Sequence, residues 1–165
     1  MRNFNGLCYV LNHSPNAVAC VYGSESYSDI KGRVMFYQLR DYVIVRAEVS
    51  GLPKCNKPCE SPIFAFHIHS GEECTGDKTD SFKNAGTHYN LNNCKHPYHA
   101  GDMPPLMGTD GKAFSMFMTD RFTVNEVIGK TVIIHLHPDD FATQPSGNSG
   151  EKIACGVINP NCNRI

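Results

Sequence analysis

Apolar and polar residues alternate along much of the chain with a period of two, the spacing of strands that bury one face. In YVIVRAEV, Val43, Val45, Ala47 and Val49 fall on one side, and Arg46 and Glu48 on the other. That pattern predicts a strand with one wet face. Comparable runs are AVACVYG, GRVMFYQL, IFAFHIH, KAFSMFM, KTVIIHLH and IACGVI, separated by clusters of Gly, Pro, Asn and Asp. Val, Ile, Phe and Tyr dominate them, as half-buried strands require. Asp110-Gly111, just before KAFSMFM, is a hairpin signal. No window of helical length carries a clean apolar stripe. NEVIGK has room for one short turn of helix, which Gly129 ends. Seven or eight short strands with irregular connections predict an all-β sandwich or barrel.

Two connections are long, roughly residues 70–101 and 137–152, and most of the histidines lie in or beside them. Long loops in compact domains commonly carry function. A chain of 165 residues suits a single domain over 1–165, with residues 1–15 as a loosely held lead-in. The formal net charge of −1 argues against broad nucleic-acid binding and against charge-driven membrane attachment. No apolar run is long enough to span a bilayer. The segment MRNFNGLCYVLNHSPNAVAC holds only the short apolar run LCYVL, so a secretory signal is not visible and the expectation is a cytoplasmic protein. Eight cysteines pull the other way. They suggest disulfides in a secreted chain, and metal or redox chemistry in a cytosolic one. For Cys8 and Cys20, a small buried hydrophobe is an equal reading.

The histidines change the picture most. In IFAFHIHS, alternation puts Phe64, Phe66 and Ile68 on one face, and Ile63, Ala65, His67 and His69 on the other. One face supplies core, while the other presents two imidazoles side by side. H-x-H is weak evidence alone. Downstream, THYNLNNCKHPYHAGD holds His88, His96, His99 and Asp102. Three nitrogen donors and one oxygen donor make a closed tetrahedral zinc site. A polar surface loop is the bland alternative, and it does not explain the gathering of histidines. KTVIIHLHPDD adds His135, His137, Asp139 and Asp140. Alternation puts both of these histidines on one face, so spacing does not choose between them. Imidazole suits copper and zinc alike.

Taken in order, FAFHIH, GEECTG, GTHYN, HAGD, GKTVIIH with PDD, and SGNSGEKIACGVI resemble the Cu/Zn superoxide dismutases over about residues 17–158. The resemblance implies a Greek-key β-barrel or sandwich of about eight antiparallel strands with two long functional loops. It implies copper held by His67, His69, His88 and His135, and zinc held by His88, His96, His99 and Asp102. His88 would be the bridging imidazolate, and Asp139 the carboxylate that bonds one histidine of each site. Cys74 and Cys155 match the family's intrasubunit disulfide. Superoxide is the implied substrate, no organic cofactor is implied, and a homodimer is one option for the assembly. The alternative function is a non-catalytic copper/zinc buffer or delivery protein on the same fold. A β-sandwich that holds only zinc is a second.

Several positions depart from the family pattern. Lys152 stands where the family commonly has an arginine near the copper; with His88 it is a catalytic candidate. Lysine keeps the charge that attracts a small anion but loses the planar fork, so steering is expected to survive and positioning to loosen. Solvent exposure is the bland alternative for Lys152. Both loops, though long as connections, look short for the family, with only two residues between His96 and His99. His137 is an extra histidine beside the copper position: a bystander, a partner of a ligand or a rival ligand, with the first two favoured. A Cys59–Cys94 disulfide is a further expectation, with Cys55 and Cys162 as competing partners.

Overall fold

The structure, a computed structural model, describes residues 6–55 and 62–161. Its strands are β1 (Ala17–Gly23), β2 (Lys31–Gln38), β3 (Val43–Ser50), β4 (Ile63–Phe64), β5 (Phe66–His69), β6 (Leu106–Met107), β7 (Lys112–Thr119), β8 (Thr131–His135) and β9 (Lys152–Pro160). Seven form one curled antiparallel sheet in the order β5-β8-β9-β1-β2-β3-β7, and β4 pairs with β6 in a short second ribbon. The non-consecutive neighbours β3–β7, β5–β8 and β9–β1 give the crossing connections of the expected all-β fold.

Burial follows the alternation. Val43, Val45, Ala47 and Val49 are buried in one core cluster with Ala19, Val21, Val34, Phe36, Phe66, Ile68, Val132 and Ile134. Arg46 and Glu48 lie on the outer face and pair with each other. The short helix α2 (Val124–Val127) carries a Thr123–Glu126 capping box, and Gly129 follows it at φ 84°. No helix among the described residues is long and apolar enough to cross a membrane.

Three expectations are corrected. Residues 6–12 of the lead-in form a helix, α1 (Gly6–Asn12), held to the sheet: Val10 is buried against Met35, Tyr37 and Ile44. Those three apolar residues lie on the outer face of the sheet and need a cover, which α1 supplies. IFAFHIH is two strands rather than one. The Ala65 N–H bonds the His137 carbonyl while the Ala65 carbonyl accepts the His135 N–H, so β4 turns away to β6. In KTVIIHLH the regular strand ends at His135, where the β8–β9 register shifts, although the Leu136 and His137 N–H groups still bond the Glu151 and Ser149 carbonyls.

The outer face of β5, β8 and β9 positions everything that follows. His67, His69, Ile133, His135 and Cys155 project from it, and the loop over 70–101 folds across it. Phe82 and Ala85 from that loop pack on Ile133 and Cys155. The loop also extends the edge of β5: Tyr89 N–H bonds Ile68 O, and Ile68 N–H bonds Gly101 O. Gly101 is required there, since a Cβ would overlap the Ile68 carbonyl.

Candidate metal centre

Two groups of side chains converge on this face and share one ring. His67, His69, His88 and His135 bring one ligand atom each to within 4.8 Å of one another, as do His88, His96, His99 and Asp102. β5 supplies His67 and His69, β8 supplies His135, and the loop supplies the other four. Strand alternation sets the first pair, while backbone bridges between His69 and His88, and between His67 and Asp102, bring the loop residues alongside.

The hydrogen bonds fix which nitrogens remain available. His69 Nδ1 lies 2.9 Å from Gly86 O, and His135 Nδ1 lies 3.1 Å from Gly150 O. A carbonyl only accepts, so each Nδ1 carries the proton and each Nε2 keeps its lone pair. Those two Nε2 atoms face each other at 3.3 Å. Two lone pairs at that distance repel unless a cation stands beside both. His67 Nε2 lies 2.8 Å from Asp139 Oδ2, and His96 Nε2 lies 2.8 Å from Asp139 Oδ1. The carboxylate therefore sets both rings with Nδ1 turned inward. His67 Nδ1, His88 Nε2, His96 Nδ1 and His99 Nδ1 are buried and make no hydrogen bond, the last two although the Asp102 carboxylate is near. Four orphaned buried nitrogens would be costly in a finished apolar site; as metal ligands they are satisfied.

The second group closes around Asp102. His88 Nδ1 lies 2.7 Å from Asp102 Oδ1, and His96 Nδ1 and His99 Nδ1 lie 3.0 and 3.3 Å from Asp102 Oδ2. Three nitrogens and a carboxylate oxygen at this spacing fit a tetrahedral divalent ion. His88 alone faces both groups, Nδ1 toward Asp102 and Nε2 toward His67, His69 and His135.

Burial pushes the His67, His69 and His135 imidazoles down, His135 to about 3, and neighbouring imidazoles push in the same direction. Neutral rings are the form that binds metal. Burial alone would raise the two carboxyls. Hydrogen bonds from His67, the Phe141 N–H and His96 more than offset it for Asp139, which falls to about 2. The His88 bond and the charges of His88, His99 and His96 do the same for Asp102. Both stay anionic and complement bound cations.

Around these groups the chain is tightly fitted. Gly147 sits at φ 66°, and a Cβ there would overlap Asp139 Oδ1 and His96 Nε2. Arg121 Nη1 lies 3.1, 3.3 and 3.2 Å from the carbonyls of Pro97, His99 and Asp102, holding the loop from outside. Cys74 and Cys155 are joined by a disulfide, with Cα atoms 5.6 Å apart, which ties the loop to β9. Lys152 does not point into solvent. Its Nζ lies 2.6 Å from Asp80 Oδ2 and 3.2 Å from Phe82 O. His137 is exposed and outside both groups, as a bystander. The Cys94 thiol is exposed and unbridged; Cys59 and Cys162 lie outside the described residues. Sequence reasoning missed Arg121, Gly147, Asp80 and the carbonyls of Gly86 and Gly150. None carries a motif, because their roles arise from contacts across the loops.

Comparison with known proteins agrees with this geometry. Residues 30–158 match the family model described as copper/zinc superoxide dismutase (SODC). The curated relative named superoxide dismutase Cu-Zn 2, from Aquifex aeolicus (strain VF5), is 32% identical over 146 residues, covering 79% of this chain and 80% of the relative. Superoxide dismutase Cu-Zn 1 from the same organism is 32% identical over 142 residues, covering 77% and 79%. A match running from Ile30 in the core to Ile158 on β9, through every residue of both clusters, makes this chain a member of the copper/zinc superoxide dismutase family.

Proposed function

We propose that the protein is a superoxide dismutase with copper at His67, His69, His88 and His135, and zinc at His88, His96, His99 and Asp102. Two superoxide anions and two protons give one dioxygen and one hydrogen peroxide. Copper supplies the one-electron couple for both halves, oxidising one superoxide and reducing the next. The observation that carries the reading is the double-facing His88 ring, with a buried, unpartnered Nε2 on one side and Asp102 on the other.

Each residue has a task that its surroundings support. The Gly86 and Gly150 carbonyls hold His69 and His135 in the tautomer that offers Nε2. Asp139 does the same for His67 and His96 through their Nε2 atoms, leaving Nδ1 to ligate. His88 Nε2 is the atom suited to take a proton and return it, because His88 Nδ1 stays engaged on the Asp102 side. Lys152 lines the cleft above His69, His88 and His135 and provides positive charge for an incoming anion.

A non-catalytic copper/zinc carrier is the competing reading. A store has no use for one ring shared between two ions, and the seven ligand positions here are complete. The test is rapid superoxide removal by protein loaded with both metals, followed by pulse radiolysis. His88→Ala should lose most of that activity while His67, His69 and His135 still retain copper. Equal activity in the variant refutes the dismutase reading.

A further inference from the structure

The cleft that opens onto His69, His88 and His135 measures about 370 Å³ and is lined also by Pro145, Gly150 and Lys152. Lys152 is the single lysine or arginine among the described residues lining it. Its side chain is only 15% exposed, and its ammonium is held by Asp80 Oδ2 at 2.6 Å and Phe82 O at 3.2 Å. Asp80 is fixed in turn. Its other oxygen accepts the Phe82 N–H at 3.0 Å, its own N–H bonds Asp77 Oδ1, and its carbonyl accepts the N–H groups of Asp77 and Lys83. Phe82 packs beside the Cys74–Cys155 disulfide.

From this geometry we infer that Asp80 is a positioning residue for superoxide capture: it anchors the ammonium of Lys152, a residue of the cleft lining, and, by pairing its charge, sets how strongly the cleft attracts an anion. A free lysine is a mobile, strongly hydrated charge on a flexible stem. Here a carboxylate and a carbonyl hold two of its three N–H donors, leaving one to meet an anion. The partial neutralisation has a cost in attraction, because a negative charge stands beside the one cation of the cleft. Asp80 therefore exchanges steering strength for a fixed donor position. The inference rests on the dismutase reading only for the identity of the anion.

Azide, a small anion, serves as the probe in optical titration of the copper- and zinc-loaded protein. Asp80→Asn keeps an oxygen that accepts from Lys152 but removes the negative charge. Azide should then bind on the order of threefold to tenfold tighter at low salt, the range for one unit charge a few ångströms away under nearly water-like screening. The gain should shrink as salt is raised, so the salt dependence of azide binding steepens. Lys152→Met should weaken azide binding and flatten its salt dependence, because Lys152 is the cation that Asp80 holds beside the cleft. Asp80→Glu should restore values near wild type. Unchanged azide affinity and salt slope in Asp80→Asn would overturn the inference, as would a Lys152→Met variant that binds azide as wild type does. Loaded wild-type protein that binds azide with the expected slope but fails to remove superoxide would count against the dismutase reading alone.

Discussion

Asp139→Asn probes the device on which both metal groups depend. In the native protein Oδ2 lies 2.8 Å from His67 Nε2, while Oδ1 lies 2.8 Å from His96 Nε2 and 2.7 Å from the Phe141 N–H. All three partners are donors, and a carboxylate accepts from all three. Asparagine is nearly isosteric but has one accepting oxygen and one donating nitrogen. Whichever way the amide turns, an N–H₂ group confronts an imidazole N–H. One ring loses a charge-assisted bond worth about 1.5–3 kcal/mol, and the other keeps only a neutral one. The ring that loses its partner is free to turn its Nδ1 away from the metal. A loss of that size converts to roughly a 10- to 100-fold drop in metal affinity. Competition with chelators of known strength reads zinc and copper affinity separately. Both should fall, because His67 belongs to one group and His96 to the other. Asp140→Asn is the control: Asp140 is exposed and its carboxylate accepts from Ala142 and Thr143, so its affinities should stay near wild type. Asp139→Asn affinities within twofold of wild type for both metals would refute the argument.

Three further outcomes are expected. Cys155→Ser removes a crosslink between residues 81 apart in sequence, about 4.5 kcal/mol in the chain-entropy picture; the melting temperature should fall by roughly 10 °C, and a fall under 3 °C contradicts it. In the metal-free protein, the His67, His69 and His135 imidazoles lie below their ordinary values, so the unfolded chain binds more protons in acid. The stability they contribute is complete above about pH 6.5, and it should decline as pH falls from there toward about 3, where His135 titrates in the folded protein. Urea midpoints that stay flat between pH 7 and 4.5 would refute this. Gly147→Ala drives a Cβ into Asp139 and His96 and should lower zinc retention about tenfold, as the loss of an outer partner does. Gly129→Ala, also at positive φ but with open space around it, should destabilise without loss of zinc.

What the amino-acid order determined by itself was everything local. Alternation in YVIVRAEV placed Val43 to Val49 inward, and H-x-H on an alternating run placed His67 and His69 together on the opposite face from Phe66 and Ile68. Both follow from the two-residue period of a strand, a property of the backbone alone. The pattern alone offered His67, His69, His88, His96, His99 and Asp102 as donors; their division between two metals, the choice of His135 over His137 and the Cys74–Cys155 pairing were legible only through the resemblance. Tertiary structure decided the rest, because it depends on atoms far apart in sequence. His137, just past the β8–β9 register shift, is exposed and outside the site, although the spacing treated it and His135 alike. α1 became ordered because Met35, Tyr37 and Ile44 leave an apolar patch that a local reading of residues 1–15 does not see. The tautomers of His69 and His135 are set by the Gly86 and Gly150 carbonyls, and a carbonyl leaves no mark in a side-chain pattern. Lys152 meets Asp80 across 72 positions of chain, a pairing that exists only once the loop is folded onto β9.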